Sequence, residues 1–182
     1  MRAEEDALVE RAIAGDRAAW RALYEAHRTF AFRVAARFLS DETEARDVAQ
    51  EVFVRIFARI SSYRPAGRFR TYLYRVVANQ CLNERARARH QRRAGGDEDA
   101  AIAAVADGAG SPEDRLVRAQ EAARVRAAIA RLPERQRMAV ILSRFEGLSY
   151  EEIAAALETS VSSVESLLFR ARQGLARDLG EP

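Results

Sequence analysis

The sequence predicts an all-α protein: two small helical domains joined by a flexible linker. Three observations carry that reading. Ala and Arg dominate, strong strand formers are sparse, and only four Pro and nine Gly interrupt 182 residues. Apolar residues recur at steps of three and four over two long stretches, the period of a helix with one buried face. Between those stretches, Ala94 to Glu113 is rich in Ala and Gly and holds five acidic residues and no basic one. Such a segment offers little to bury and reads as a linker. The boundaries follow: a first domain over 1–93, a linker over 94–113 and a second domain over 114–182.

Leu8, Ala12 and Ile13 mark the first helix. Gly15-Asp16 supplies a stop and then a new N-cap, and the second helix runs through Trp20, Leu23, Tyr24 and Phe30 to Leu39. The pattern breaks at Ser40-Asp41. Val48, Val52, Phe53, Ile56, Phe57 and Ile60 then trace the stripe of a third helix. Ser61 to Gly67, with Pro65, reads as a loop. A fourth helix, from about Phe69 to His90, is apolar in its first half and basic in its second.

After the linker, periodicity resumes through Leu116, Val117, Val125 and Ile129 to Leu132. Pro133 suits the first turn of the next helix, which runs through Met138, Ile141 and Leu142 to about Phe145 and stops at Gly147. Ser149 and Glu152 have capping-box spacing and open a short helix through Ile153 and Leu157. Glu158-Thr159 makes a turn. Ser160 caps the last helix, whose Val161, Val164, Leu168, Ala171 and Leu175 share one buried face. Two short helices joined this way describe a helix-turn-helix.

The formal net charge is only +3, and all 30 basic residues are Arg. Phosphate binding is therefore judged by where the Arg residues cluster. Cys81 is a lone cysteine in an apolar helical stretch and reads as a buried small side chain. His27 and His90 have no partner at ligand spacing, so no metal site is predicted. No Gly-rich phosphate loop or nucleophile elbow occurs, which predicts neither an enzyme nor a cofactor. The acidic N-terminus does not read as an export signal and no stretch is apolar enough to span a membrane. The expectation is a cytoplasmic protein without membrane insertion.

Three surfaces are candidates for binding. The last helix exposes Ser162, Ser163, Glu165, Ser166, Phe169, Arg170, Arg172 and Gln173, a mixture suited to base edges and phosphates, although a solvated helix face carries the same residue types. ERARARHQRR, Glu84 to Arg93, follows a helix bearing Tyr72, Tyr74, Asn79 and Asn83. Its Arg residues suit phosphates, Asn suits exposed base edges and the rings suit unstacked bases, or they form a solvated helix end. Asp47, Gln50, Glu51 and Arg55 interleave with the third helix's stripe and by periodicity alone are its wet side.

DVAQEVFVRIFARI (Asp47 to Ile60) and FRTYLYRVVANQCLNERARAR (Phe69 to Arg89) resemble the second conserved region of extracytoplasmic-function sigma factors, of the sigma-70 family of bacterial RNA polymerase subunits. LPERQRMAVILSRFEGLSYEEIAAALETSVSSVESLLFRARQGL (Leu132 to Leu175) resembles their fourth region. The resemblance covers nearly the whole chain, in the family's order. It implies a four-helix region 2 and a helix-turn-helix region 4, in a subunit that binds core RNA polymerase, reads the minus-35 and minus-10 promoter elements and promotes DNA melting.

Residue by residue, the resemblance implies core-polymerase contacts at Asp47, Gln50 and Glu51. It implies minus-10 contacts at Tyr72, Asn79, Asn83, Arg85, Arg87 and Arg89, with a loop at Ser61 to Arg68 that receives a flipped base. It implies minus-35 contacts at Ser163, Ser166, Phe169, Arg170 and Arg172. Glu165 and Leu167 depart from the basic residues of many relatives; a carboxylate can accept from cytosine N4, so the family's minus-35 preference does not transfer directly. A cognate anti-sigma factor and a monomeric free state are also implied. Two other readings of the residues compete: a helix-turn-helix regulator acting without being a polymerase subunit, and a helical adaptor or anti-sigma protein.

Overall fold

The computed structural model describes residues 2–39, 41–63, 68–93 and 112–180, and every regular element among them is helical. Helix α1 (Arg2–Ile13) buries Val9 and Ala12 against α2 (Arg17–Leu39). Gly15, at φ +93°, makes the turn between them. The Asp16 carboxylate then accepts from the amides of Ala18 (2.8 Å) and Ala19 (3.1 Å), the N-cap expected there. Asp41 caps α3 (Glu42–Arg59) in the same way, accepting from the Glu44 amide at 2.7 Å.

Leu23, Phe30, Val34 and Phe38 of α2, with Val48, Val52, Phe53 and Ile56 of α3, build one core. Helix α4 (Phe69–Arg93) closes it with Phe69, Leu73, Tyr74, Val77, Ala78 and Cys81. Aromatic edges lock the layers: Tyr24 on Phe53 and Phe30 on Tyr74, with centroids 5.0 and 4.4 Å apart. The segment expected as a loop from Ser61 begins within a 3-10 turn, Ile60–Ser62, because the Tyr63 amide bonds back to the Ile60 carbonyl. Its remainder over 64–67 lies outside the described residues, as does the predicted linker from 94 to 111.

Helix α5 starts at Pro112, inside the segment predicted as linker, and runs to Arg131. Proline favours a first helical position, which the composition of the acidic stretch masked. At Pro133 the backbone is extended, so this residue is the N-cap of α6 (Glu134–Val140) rather than a member of its first turn. The helix expected to run on to Phe145 widens at Ile141–Phe145 into a π-type turn. A step of three and four cannot reveal that extra residue per turn. Gly147, at φ +66°, ends it.

Helix α7 (Tyr150–Ala156) carries the complete capping box: Ser149 accepts from the Glu152 amide and Glu152 from the Ser149 amide. Ser160 caps α8 (Val161–Leu179), which buries Val164, Leu168 and Ala171. Helices α5 and α6 pack on α8, and α7 packs on both α8 and α4. The two helical groups thus lie against one another, an arrangement the sequence pattern did not address.

Two predictions follow from these elements. Ser149→Ala lowers stability by about 1 kcal/mol in a urea titration, the usual cost of a lost N-cap. Burial pushes the Cys81 thiol up to about 12, against about 8.5 for an unfolded thiol. The protonated thiol is therefore favoured by folding; that contribution is complete below about pH 8.5 and is lost as pH rises toward 12. At pH 8 a thiol reagent leaves native Cys81 unmodified and labels it once denaturant unfolds the chain.

Candidate nucleic-acid interfaces

The turn between α7 and α8 depends on Glu158, whose φ of +50° places it in the left-handed region. The Thr159 amide bonds to the Ala154 carbonyl (2.9 Å), and Arg135 of α6 donates to the Leu157 carbonyl (2.8 Å). These bonds satisfy the end of α7 and fix the direction in which α8 leaves. Arg135, Ser162, Ser163, Ser166, Leu167 and Arg170 line one shallow groove along α8. Three predicted minus-35 residues, Ser163, Ser166 and Arg170, therefore share a face. Phe169 (60 % exposed) and Arg172 extend the solvent side of the same helix, as does Glu165. Arg135 was not singled out from sequence, since only packing brings it to this groove.

The predicted minus-10 residues divide into four groups. Asn83, Arg87, His90 and Gln91 border a shallow depression on α4, with Arg87 held by Glu84 at 3.4 Å. Tyr72 sits in an aromatic corner, 4.6 Å from the Tyr63 ring and with the Arg75 guanidinium 5.3 Å from its own. Arg85 turns inward instead: its guanidinium donates to the Leu39 carbonyl at the end of α2. Asn79 and Arg89 reach the second helical group, where Asn79 donates to Glu158 (3.2 Å) and Arg89 to Glu134 (2.9 Å).

On α3, Asp47 and Gln50 are exposed beside Val54 (59 % exposed) and Phe57 (45 % exposed). Glu51 is held in place. Arg55 donates twice to its Oε1, at 2.9 and 2.6 Å, and the buried Gln80 of α4 donates to its Oε2 at 3.1 Å. The carboxylate is thereby aimed before any partner arrives. Gln80 lay within an apolar run and gave no sign of this role.

No group of three or more His, Cys, Asp or Glu side chains among the described residues could hold a metal ion. No helix among them is long and apolar enough to cross a membrane.

The family model for sigma-70 region 2 matches residues 23–92, and that for sigma-70 region 4 matches residues 122–175. The RNA polymerase sigma-H factor of Pseudomonas aeruginosa is 35% identical over 182 residues, covering 97% of this chain and 94% of that protein. The chain belongs to the sigma-70 family. Its relatives are extracytoplasmic-function sigma factors: the ECF RNA polymerase sigma-E factor of Escherichia coli K12 is 33% identical over 174 residues, covering 92% of this chain and 90% of that one. Among solved structures, CnrH in complex with the cytosolic domain of CnrY is similar at a TM-score of 0.70, with 25% identity and 97% coverage of each chain. The sigma factor RpoE of Bartonella quintana, solved with the anti-sigma factor NepR, shares the fold at a TM-score of 0.67 and 21% identity, covering 88% of this chain and 96% of that one.

Helices α1 to α4 of this sigma factor contain region 2, and α5 to α8 contain the helix-turn-helix of region 4. Within region 2, Arg85 and Arg87 are separable by their surroundings. Arg85→Ala removes a half-buried hydrogen bond to a helix end and lowers stability by about 1–2 kcal/mol. Arg87→Ala removes an exposed pair and changes stability by less than about 0.5 kcal/mol. Parallel urea unfolding curves check both values.

Proposed function

We propose that this sigma factor binds core RNA polymerase through α3, captures the unpaired minus-10 strand on α4 and docks α8 in the minus-35 major groove. Region 2 function is assigned to residues 1–93, region 4 function to 114–182 and the spacing between them to residues 94–113. The observation that carries the reading is a pair of separate exposed Arg-bearing helix faces, one on each region, in a chain whose relatives are RNA polymerase sigma factors.

Asp47, Gln50 and the pre-aimed Glu51 are the polymerase contacts, with exposed Val54 and Phe57 beside them as apolar surface for the partner. Tyr72, Asn79, Asn83, Arg87 and Arg89 contact the minus-10 strand. Arg85 supports the end of α2 and reaches DNA only by giving up its carbonyl. Ser163, Ser166, Phe169, Arg170 and Arg172 contact the minus-35 element, and Arg135 joins them at the groove. Glu165 disfavours phosphate and accepts from a cytosine amino group.

The chain acts by selective binding, with the chemistry done by polymerase. A strand held only when unstacked shifts the duplex toward the open state by its differential affinity for that state. No cofactor enters this scheme. The free protein is a cytoplasmic monomer, and a cognate anti-sigma factor is its regulator; the similarity to CnrH, solved in complex with the cytosolic domain of CnrY, supports a protein partner for the chain.

Run-off transcription with purified core polymerase on genomic promoter fragments tests the function: initiation occurs only when this protein is added. Absence of both initiation and core binding overturns the proposal. Arg170→Ala weakens minus-35 duplex binding about tenfold, in line with loss of a bidentate base contact, and leaves core affinity unchanged. Glu51→Ala does the reverse in a core-binding titration; because it also leaves the buried Gln80 amide without its acceptor, it lowers stability by about 1–2 kcal/mol in urea, and binding is titrated where the variant is still folded.

A further inference from the structure

Gln80 is a polar side chain in a place that folding alone would fill with an apolar one. It is 2% exposed on α4, beside the fully buried Val77, Ala78 and Cys81. An amide taken out of water costs free energy for every polar atom left without a bond. Gln80 carries part of that cost, because its Oε1 is buried and meets no hydrogen-bond donor among the described residues. Its Nε2 donates to the Oε2 of Glu51, 3.1 Å away on α3. Turning the amide over would set its oxygen against the carboxylate, acceptor to acceptor, so the Glu51 carboxylate fixes which way the amide faces.

We propose that Gln80 is a positioning residue for polymerase docking: it does not touch the polymerase, and it holds the Glu51 carboxylate in the orientation that the polymerase meets. The inference rests on the functional reading above, which makes Glu51 a polymerase contact.

Geometry separates Gln80 from the other partner of Glu51. Arg55 donates through Nε (2.9 Å) and Nη2 (2.6 Å) to Oε1 alone. Both of its bonds end on one oxygen, which leaves Oε2 free to swing; the Gln80 bond supplies the second point that sets the plane of the carboxylate. Arg55 also lies four residues along the same helix with its side chain 43% exposed, where water and salt compete for the pair. Gln80 comes from a different helix packed on α3, and its buried amide has no water to turn to. Its hold on Glu51 therefore persists where Arg55 is screened. A long side chain that is ordered only when a partner arrives lowers affinity by about threefold to tenfold. Gln80 places that ordering in the folded free protein, and its unbonded oxygen is the cost the fold carries for it.

The test titrates purified core polymerase with the full chain, beside urea unfolding of each variant. Gln80→Met keeps the length of the side chain and removes both the donor and the unbonded oxygen. It weakens core binding about threefold to tenfold and leaves the urea midpoint unchanged or higher. In the Glu51→Ala background the same substitution has no further effect on core binding, because the residue it acts through is gone. In the free protein it shifts the NMR resonance of the Glu51 carboxyl carbon and leaves that of Asp47 in place. If Glu51→Ala weakens core binding and Gln80→Met does not, the positioning role falls and the polymerase contact stands. Equal weakening with and without Glu51, or weakening that only follows a lower urea midpoint, marks a structural role and overturns the proposal, as does an unmoved Glu51 resonance. If Glu51→Ala itself leaves core binding unchanged, the functional reading fails and takes the proposal with it.

Discussion

Helix α2 ends inside the molecule, and its last carbonyls have to be satisfied there because no following turn of helix can reach them. Two guanidinium groups do this from different parts of the chain. Arg85 of α4 donates to the Leu39 carbonyl, and Arg137 of α6 donates to the Arg37 carbonyl at 3.2 Å. Arg137 is buried, and burial works against its charge, with the neighbouring Arg85 adding to the push; its pKa comes down to about 10. That still leaves it cationic at neutral pH. The negative end of the α2 dipole and the Phe38 ring 5.2 Å beneath the guanidinium offset the desolvation. A region 2 helix is thus finished by a region 4 side chain.

This arrangement explains why the seam between the regions is rich in charge. An apolar seam of the same extent would hold the regions together through any change of partner, since burying apolar surface has no exchangeable group to hand over. Charged and amide groups can be exchanged one for one. Asn79 and Arg89 can trade a glutamate for another acceptor, and Arg137 can trade a carbonyl for water, with the desolvation of its charge relieved at the same step. These bonds are made when the regions lie together and have substitutes when they part, which permits a two-state element.

Most of the fold was legible from residue spacing. The apolar stripes of α2, α3 and α8, the caps at Asp16, Ser149 and Ser160, and the stop at Gly147 all depend on neighbours within a few residues, which a linear pattern records. The π-type turn at Ile141–Phe145 did not show, because its extra residue leaves the apolar content unchanged. The start of α5 was hidden by an acidic, Gly-rich context that outweighed Pro112. For the site, residue type and period separated exposed from buried faces on α8 well. They failed where a long side chain crosses to another element. Arg85 looked like one more member of a basic run, yet it reaches a helix end 46 residues earlier in the chain. Arg135, Gln80, Glu134 and Glu158 share that property: each acts through a contact with a distant element, and nothing local distinguishes them from solvated side chains.

Glu158 joins these threads. The helix-turn-helix requires a left-handed residue just after α7, a conformation most side chains avoid and for which Asn or Gly is the ordinary choice. Glutamate there gains nothing for the turn itself. What it gains is position: the left-handed backbone projects the side chain away from α7 and α8, toward Asn79 and Arg75 on α4. Gly or Asn at this position would make the turn with less strain, but Gly would remove the carboxylate and Asn would shorten it to a neutral amide, so neither would present the same acid to Arg75. The turn that orients α8 is therefore also the point at which region 4 meets the Asn79 and Arg75 face of α4, and a change of backbone there would alter both at once.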